Sequence, residues 1–329
     1  MQRRHLVQAL ALTPLAAMTA TSLAQSFPDR PLRIVVPFAA GSTLDTALRQ
    51  VAEEFKKNTG QPLLVDNKPG GSGIIAAQNV MQSAPDGYTL LLTNTSMLTI
   101  NPHTFSKLPY DAVKTFKPVT NFLGASMVMA VNANVPANNV KEFVAWAKAQ
   151  SAKENGRVSF ASFTAGNSSH FAGVILNQRA GLQMTHVPFN GTPPAVQNLV
   201  GAQVDAAFLP LLAVKPHVAS GKVKVLAVTS PQRSPLMPEV ATFTEQGFPD
   251  LEIYIWAAIA VPAGVPDTVV AKLNSEFTKA LNSPDIREKW RAMDFEPLPS
   301  TPEALAKFAQ ADSKRWAEAV KLSGFKASE

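Results

Sequence analysis

The sequence predicts an α/β protein of two lobes with a hinged cleft between them, and three observations lead to this prediction. Short apolar runs alternate with amphipathic stretches from residue 32 onward, which is typical of alternating strands and helices. The chain has 329 residues, more than one ordinary domain of about 100–200 residues requires. Two longer apolar runs, 122–132 and 252–261, enclose the middle of the chain and suit strands that cross between lobes.

The first third of the chain reads as three strands and two helices. Apolar residues recur at helical spacing from Leu44 to Phe55, and Gly60 then ends that helix. Apolar runs bounded by turn residues predict the strands. The predicted strands cover 32–38, 62–67 and 88–94, and the predicted helices cover 43–58 and 74–82.

The same alternation continues through the middle and the end of the chain. Asn190 and Gly191 form a turn before one helix, and Pro266 and Pro284 stand where prolines begin helices. Repeating strand–helix units of this kind predict mostly parallel sheets. Beyond the two crossing runs, the predicted strands cover 157–163, 184–189, 204–209 and 223–230. The predicted helices cover 140–151, 192–200, 211–220, 266–281, 284–293 and 301–322, and one more follows the 164–169 loop and ends at residue 180.

The two crossing runs also define the predicted lobes. Residues 25–124 together with 250–329 form lobe 1, and residues 125–249 form lobe 2. Ligands of such clamps lie in the cleft between the lobes, beyond the carboxyl ends of the strands. We therefore expect the ligand to meet the loops that follow the strands.

The first 24 residues have the layout of an export signal. Arg3 and Arg4 precede an uncharged stretch that ends in the small residues Ser22-Leu23-Ala24. We expect this segment to be cleaved and the mature protein to lie in the periplasm, with the general and the twin-arginine export routes both open.

Composition argues against several classes of protein. The net charge is +6, but the basic residues are spread along the chain without a basic stripe, so no nucleic-acid partner is expected. The chain has no cysteine, which excludes disulfides, a thiolate nucleophile and a zinc–cysteine site. The histidines lack metal-ligand spacing and no nucleotide-binding motif is present, so we expect neither a metal nor another cofactor.

Two loops rich in glycine and hydroxyl residues stand before helices, one in each predicted lobe. In the first, Gly41 allows a tight turn, and Ser42 with Asp45 forms a capping box at the start of a helix. The second, residues 163–169, has the same strand–loop–helix position. The first amides of a helix point outward without partners and favour negative charge. Two such helix starts across a cleft suit the two ends of a dicarboxylate.

Four residues, Ser168, His170, Asp205 and Asp45, admit both a structural and a functional interpretation. Ser168 and His170 suggest a serine hydrolase, but no G-x-S-x-G elbow exists and neighbours on one helical turn cannot form a triad, so we favour a histidine that fixes its loop. Asp205 enters an apolar strand and requires a partner, for which we favour a structural one over a ligand amine. Asp45 is also open to both interpretations. Its carboxylate would repel an anion directly, so it could instead order the amides of the loop or a water molecule.

Seven segments, taken in order over the mature chain, carry a resemblance to a known family. They are residues 27–38, 65–70, 84–90, 186–191, 226–230, 233–234 and 262–266, together with the 41–45 turn. In their order and spacing the chain resembles the periplasmic solute-binding proteins of tripartite tricarboxylate transporters, also called Bug receptors. The resemblance implies a two-lobed Venus flytrap fold of type II, without enzymatic activity, that closes on a small carboxylate such as an organic acid or an amino acid. It also implies a monomer whose partners are the membrane subunits of a transporter.

The resemblance assigns ligand-binding roles to the loops of both lobes and to one acid. The residues that it places at the ligand are Phe38, Gly41, Ser42, Thr43, Asp45, Thr95 and Ser96 in the first lobe, and Ser162, Thr164, Gly166, Ser168, His170 and Asp205 in the second. Two other functions remain as alternatives: an adaptor that senses a ligand for a signalling partner, and a periplasmic hydrolase.

Overall fold

The computed structural model describes residues 27–154 and 156–325, so the predicted export signal lies outside the described residues. Within these ranges the chain forms strands and helices in alternation. The strands are β1 (Leu32–Val36), β2 (Leu63–Asn67), β3 (Thr89–Asn94), β4 (Phe116–Asn132), β5 (Ser159–Ser162), β6 (Thr185–Pro188), β7 (Ala206–Pro210), β8 (Val223–Val228), β9 (Tyr254–Pro262) and β10 (Phe295–Pro297). The helices are α1 (Thr43–Thr59), α2 (Ile74–Met81), α3 (Asn101–Thr104), α4 (Val140–Ser151), α5 (Ser168–Ala180), α6 (Thr192–Val200), α7 (Leu211–Ala219), α8 (Asp267–Leu281), α9 (Pro284–Arg291) and α10 (Pro302–Ser323).

One long strand, β4, joins two groups of strands. The strand order is β2-β1-β3-β9-β4-β7-β5-β6, and β8 and β10 also pair with β4. From Phe116 to Ser126 β4 pairs with β9 and β10, and from Met127 to Asn132 it pairs with β7 and β8. We call β1, β2, β3, β9, β10 and the first part of β4 the first half-sheet, and β5 to β8 with the last part of β4 the second half-sheet.

The chain crosses between the half-sheets close to the two runs to which the sequence analysis assigns the crossings. The first crossing is β4 itself. The second lies just before β9, where the Ile253 amide donates to the Thr229 carbonyl at 2.9 Å. After that contact β9 pairs with β3 and β4 in the first half-sheet.

The prediction of mostly parallel sheets is wrong for the strands near the crossings. β1 pairs in parallel with β2 and β3, and β5 pairs in parallel with β6 and β7. By contrast β4 is antiparallel to β7, β8, β9 and β10, and β3 is antiparallel to β9. A strand–helix–strand crossover forces parallel neighbours, but β4 and β9 carry the chain between half-sheets and are not joined to their neighbours in this way.

Each half-sheet is covered on both faces by helices and has its own apolar core. In the first, α1 and α8 pack on one face through Phe55 and Phe277, whose ring centroids are 4.8 Å apart. In the second, α5 packs through Phe171, and the end of α10 joins the same core through Trp316. The start of α10 packs instead on Trp256 of β9 through Leu305. α10 therefore contacts both halves, and the predicted lobe boundaries remain a prediction.

Candidate ligand-binding site

The loop between β1 and α1 is shaped by its own polar groups. Gly41 has a φ of 79°, a left-handed conformation that glycine adopts without strain. The Ser42 side chain accepts a hydrogen bond from the Asp45 amide at 3.3 Å and so caps α1. The Asp45 carboxylate in turn accepts one from the Gly41 amide at 2.9 Å. The turn and the helix start are thus held together by reciprocal hydrogen bonds.

Asp45 is turned into the protein and does not face the cleft. It is 1% exposed and accepts hydrogen bonds from Arg49 at 2.9 and 3.1 Å and from Asn67 at 2.9 Å. Burial alone would raise the pKa of Asp45, but the hydrogen bonds from Arg49, Asn67 and the Gly41 amide hold this pKa below its ordinary value. Asp45 is therefore an ionised group that orders the loop.

A cavity of about 450 Å³ lies between the half-sheets, at the carboxyl ends of the parallel strands. Its walls are largely apolar and come from both half-sheets. The apolar lining residues include Phe38, Leu44, Leu123 and Trp256 from the first, and Phe163 and Leu211 from the second. A larger groove of about 730 Å³ runs between residues 102–118 and α10, but among the segments that follow the parallel strands only the one after β3 lines it, as far as the described residues show. The candidate site is therefore the cavity between the half-sheets.

Four helices of nine or more residues begin at this cavity. The first residues of α1, α5, α6 and α7, which are Thr43, Ser168, Thr192 and Leu211, all line it. The first amides of a helix have no partner within the helix, and the helix dipole favours a negative charge there. In α6 two prolines follow Thr192 and provide no amide hydrogen, so α1, α5 and α7 contribute more donors. The helix starts consequently favour an anion in the cavity, although none of the described residues that line it is cationic.

Hydroxyl groups at the helix starts add further donors. Within residues 27–154 and 156–325, the side chains of Thr43, Ser96, Ser168 and Thr192 make no hydrogen bond to another protein group. All four line the cavity. A hydroxyl group can donate or accept without carrying charge, so these side chains are free to bind a polar ligand.

Thr95 lies at the cavity, but its hydroxyl is already engaged. It accepts from the Trp256 amide at 2.9 Å and donates to the Trp256 carbonyl at 3.1 Å. Thr95 therefore ties the end of β3 to β9, while the neighbouring Ser96, which begins a turn of π-helix, keeps its hydroxyl available.

Asp294 is the one charged side chain among the described residues that line the cavity, and the sequence analysis missed it. It follows α9 with a left-handed φ of 53° and precedes β10. Burial raises the pKa of Asp294, although the nearby hydroxyls of Ser234 and Ser126 and the charge of Lys215 act in the opposite direction. Nothing in the local sequence distinguishes Asp294 from a surface acid, because its position depends on how β10 pairs with β4.

The structure brings five of the predicted residues to the cavity and places the others outside it. Those in the lining are Phe38, Thr43, Thr95, Ser96 and Ser168. Gly41 and Asp45 border a separate depression along α1, and Ser42 caps that helix. Ser162, Thr164, Gly166, His170 and Asp205 lie outside the lining of the cavity.

The second-lobe loop is held by its own hydrogen bonds. The Gly166 amide donates to His170 Nδ1 at 3.2 Å, and the Ser162 hydroxyl donates to the Thr164 carbonyl at 3.1 Å. Ser162 Oγ also lies 2.7 Å from Nε2 of His186. These contacts give the loop the shape that presents the start of α5 to the cavity.

Asp205 contacts the start of a strand and lies away from the cleft. Its carboxylate accepts from the Ser159 amide at 2.8 Å and from the Ser159 hydroxyl at 3.1 Å. This contact joins β5 to the segment that precedes β7. It is the structural type of partner that the sequence analysis favours for this acid.

The histidines of the second half-sheet do not form a hydrolase site. The rings of His170 and His186 are stacked with centroids 3.8 Å apart. Burial lowers the pKa of both to about 4, and mutual repulsion adds to the effect for His170. In the described part of the chain no side-chain hydrogen bond joins Ser168 to His170, and no acid orients either ring. Ser162 does lie within hydrogen-bond distance of His186, but Ser162 is fully buried and its hydroxyl donates to the Thr164 carbonyl, so this pair does not present a nucleophile to a substrate.

A mixed α/β sheet in two halves, with helix starts around a cavity between them, defines the class of two-lobed solute-binding proteins. The sequence profile described as "Tripartite tricarboxylate transporter family receptor" matches residues 47–325, and the chain belongs to this family. The resemblance inferred from the sequence is thereby confirmed.

Solved structures of similar sequence confirm the predicted fold. The periplasmic binding protein BugD is 32% identical with a TM-score of 0.77, and the match covers 92% of this chain and 100% of BugD. An adipate-bound protein from Rhodopseudomonas palustris is 28% identical with a TM-score of 0.80, covering 91% and 99% of the two chains. MatC of the same organism, with bound malate, is 32% identical with a TM-score of 0.75, covering 89% and 100%.

Proposed function

We propose that this protein is a periplasmic receptor that captures a small organic carboxylate in the cavity between the half-sheets and delivers it to the membrane subunits of a tripartite tricarboxylate-type transporter. The observation that carries this proposal is the convergence of four helix starts and four unpaired hydroxyl groups on one cavity. Helix amides and hydroxyl groups bind a carboxylate by charge-assisted hydrogen bonds.

The walls of the cavity suit the carbon skeleton of such a ligand. Phe38, Phe163 and Leu211 present apolar surface between the helix starts. A volume of about 450 Å³ admits an aliphatic chain of several carbons or one aromatic ring. The structures similar to this chain include one with adipate and one with malate, both of which are small carboxylates.

We assign the direct contacts to the residues that line the cavity, and supporting roles to the rest of the predicted set. Asp45 orders the first loop and His170 the second, whereas Thr43, Ser96 and Ser168 bind the ligand. The same arrangement supports a function without catalysis, because Ser162, the serine beside His186, is fully buried, and in the described part of the chain no acid orients that histidine. Export by the first 24 residues, action as a monomer and the lobe boundaries are parts of the same proposal, and the periplasmic proteins of this family support the location.

The test is a thermal-shift screen of the mature protein against mono-, di- and aromatic carboxylates at neutral pH. A ligand that binds only the folded state raises the melting temperature, by an amount that grows with its concentration relative to Kd. We expect at least one carboxylate to raise it by several degrees, since about 100 Kd of ligand adds about 2.7 kcal/mol of stability. A panel without any shift contradicts the proposal.

Two isosteric variants on one helix then locate the site. Thr43→Val removes a hydroxyl that lines the cavity, and Thr46→Val removes one that lies in the next turn of α1, outside this cavity. We expect calorimetry to show affinity for the carboxylate about tenfold weaker in Thr43→Val and unchanged in Thr46→Val. Equal affinities for the two variants would place the ligand elsewhere.

A further inference from the structure

The larger groove, of about 730 Å³, has no part in the proposed function. It lies between residues 102–118 and α10 and shares no lining residue with the cavity between the half-sheets. Its volume falls within the range of about 300–1,000 Å³ that is typical of sites for small molecules. The chemistry of its two walls therefore indicates which class of molecule it can bind.

The wall formed by residues 102–118 is apolar and is anchored by hydrogen bonds. The Tyr110 hydroxyl donates to the Met97 carbonyl at 2.8 Å, and the rings of Tyr110 and Phe116 pack edge to face with centroids 5.9 Å apart. Further along, the Lys117 ammonium group donates to the Val265 carbonyl at 2.7 Å. This wall is consequently preformed. Its larger apolar side chains in the groove are Phe105, Leu108, Tyr110, Val113 and Phe116.

Part of this apolar surface is open to solvent. Val113 is 82% exposed, although it lines the groove beside the buried residues Ala260 and Leu305. Exposed apolar surface around a concave site is typical of a surface that binds something. The apolar wall therefore requires a ligand with an apolar body.

The opposite wall is a polar stripe on α10. Lys307, Gln310 and Lys314 line the groove at positions i, i+3 and i+7, so they follow one another along one face of the helix over about 10 Å. Within the described residues none of these three side chains has a hydrogen-bond or ion-pair partner, and the one ion pair of α10 joins Arg315 to Asp312. Two ammonium groups and an amide are thus available to an acceptor in the groove.

Asp111 also lines the groove, but its charge is already balanced. Its Oδ1 atom accepts from the amides of Val113 and Lys114 at 2.9 and 3.0 Å, and these hydrogen bonds hold the pKa of Asp111 below its ordinary value. Its Oδ2 atom lies 4.0 Å from the Lys114 ammonium group. As far as the described residues go, Lys307 and Lys314 therefore leave the lining of the groove positive.

The two walls have complementary requirements. An uncharged apolar molecule would leave the lysines without a partner, and a small polar anion would leave the apolar wall uncovered. A molecule that satisfies both walls has an apolar body and an anionic group at its edge. We propose that this groove is a second ligand site of the protein, which binds an amphipathic organic anion such as a medium-chain alkanoate. The carboxylate pairs with the lysines of α10, and the chain packs on the wall of residues 102–118.

This inference goes beyond the proposed function and does not depend on it. Trp256 lines the cavity, and Leu98, which packs in the same apolar cluster, lines the groove. One layer of side chains thus separates the two sites, and both can be occupied at once. The groove is larger than the cavity, so it admits an anion with a longer chain.

The experiment measures the affinity of an alkanoate series by calorimetry at pH 7.5, with the mature protein and below the concentrations at which micelles form. The series is hexanoate, octanoate and decanoate. We expect Kd to fall about threefold for each added methylene group that becomes buried. Octanamide has the chain of octanoate without its charge, and we expect it to bind about fivefold more weakly, which is the contribution of an exposed ion pair.

A bulky substitution then locates the chain. Ala306→Trp fills part of the groove from an exposed position on α10, and Ala311→Trp adds the same side chain at an exposed position of this helix outside the groove. We expect the affinity for octanoate to fall at least about tenfold in Ala306→Trp and to persist in Ala311→Trp. Binding of the short carboxylate found in the thermal-shift screen should be unchanged in both variants.

Charge variants locate the carboxylate. The double variant Lys307→Gln/Lys314→Gln keeps two polar side chains and removes both charges, and Lys321→Gln removes one charge from α10 outside the groove. We expect the double variant to bind octanoate about fivefold more weakly while its affinity for octanamide is unchanged. Lys321→Gln should bind both molecules normally. All three lysines are exposed, so these variants decide the question even if Ala306→Trp fails to fold.

Three results would overturn this inference. The first is the absence of binding by every alkanoate, and the second is equal affinity for octanoate and octanamide. The third is an affinity for octanoate that neither Ala306→Trp nor the double lysine variant reduces, which would place the chain in another site. Each of these leaves the proposed function standing, because short carboxylates in the cavity are tested separately. A thermal-shift screen without any response from short carboxylates would contradict the proposed function and leave the groove as a ligand site.

Discussion

The side-chain amide of Asn67 donates a hydrogen bond of 2.9 Å to the carboxylate of Asp45, 22 positions earlier in the chain. The same amide donates a second hydrogen bond of 3.0 Å to the Phe38 carbonyl. Asn67 ends β2, and Asp45 lies in the first turn of α1. The end of one strand therefore holds the loop after the neighbouring strand in the shape that directs the α1 start to the cavity.

Replacing Asp45 by alanine should destabilise this loop and weaken ligand binding together. The change removes the acceptor for the Gly41 amide, for Arg49 and for Asn67 in a site that is 1% exposed. We expect the free energy of unfolding to fall by about 3 kcal/mol, measured by urea denaturation, because several hydrogen bonds to a buried carboxylate are lost together. Calorimetry should show weaker carboxylate binding in the same variant.

The matched control for this change is Asp285→Ala. Asp285 is an exposed acid near a helix start, and its closest partner, Lys289, is 3.7 Å away. An exposed pair of this kind contributes at most about 1 kcal/mol. Equal stabilities of the two variants would show that the network around Asp45 does not hold the loop.

Local signals in the sequence predict most of the elements of this fold. The helices Val140–Ser151 and Thr192–Val200 have the bounds that the sequence analysis assigns to them. Their ends are marked by neighbouring residues, such as the Asn139 cap, whose side chain accepts from the Glu142 amide. The three-residue strand β10 was missed, because its pairing with β4 depends on a partner about 170 positions away in the chain.

The difference between local and long-range contacts also separates the predicted from the missed residues of the candidate site. Thr43 and Ser168 begin helices after strands, so local pattern brings them to the cavity. Thr95 lines the cavity as well, but its hydroxyl is engaged by Trp256, 161 positions away. Thr192 also begins a helix after a strand, whereas Asp294 reaches the cavity only through the pairing of β10 with β4. Contacts between distant segments carry no signal in a single sequence.

The stacked histidines should make stability depend on pH in the weakly acidic range. Burial holds the pKa of His170 and His186 at about 4 in the folded protein, below the ordinary value of 6.5. The unfolded chain then binds protons between these values while the folded chain does not, so stability falls as pH drops from 6.5 toward 4. Above pH 6.5 both states are neutral and the rings add no pH dependence.

The variant His186→Phe isolates the contribution of this histidine to the pH dependence of stability. His186→Phe keeps an aromatic ring between Phe160 and His170, and Ser162 keeps its hydrogen bond to the Thr164 carbonyl. We expect the loss of unfolding free energy between pH 7 and pH 5 to be smaller by about 1 kcal/mol in this variant. The control His103→Asn alters an exposed histidine and should leave the profile unchanged. Identical profiles for His186→Phe and the unaltered protein would contradict the prediction.

Replacing Asp312 by alanine should strongly destabilise the junction of the half-sheets. Its Oδ2 atom accepts from the indole nitrogens of Trp256 and Trp316 at 2.9 and 3.0 Å. Both indoles are buried, and Trp256 also lines the cavity. We expect urea denaturation to show a loss of about 3 kcal/mol, since two buried donors lose their acceptor.

Asparagine at position 312 keeps one acceptor oxygen, so Asp312→Asn should lose less stability than Asp312→Ala. Glu318→Ala on the exposed face of α10 is the control and should change stability by less than about 0.5 kcal/mol. A loss for Asp312→Ala no larger than for Glu318→Ala would show that the indole contacts do not stabilise the junction.

Gly173 lies inside α5, where alanine normally stabilises a helix by about 1 kcal/mol relative to glycine. At position 173 we expect alanine to destabilise the protein instead. A β-carbon at this position would lie 2.1 Å from the Phe160 ring, which is fully buried beneath the helix. We expect Gly173→Ala to reduce the free energy of unfolding by about 2 kcal/mol, because the ring or the helix must shift.

A smaller side chain at position 160 tests this cause directly. Phe160→Leu provides space for the added methyl group, so Gly173→Ala should destabilise the Phe160→Leu protein much less than it destabilises the unaltered one. The difference between these two effects, measured by urea denaturation of all four proteins, is the coupling energy of a double-mutant cycle. A coupling energy near zero would mean that the close approach of Gly173 and Phe160 does not determine the response, and a gain of stability in Gly173→Ala would mean that helix propensity outweighs the packing.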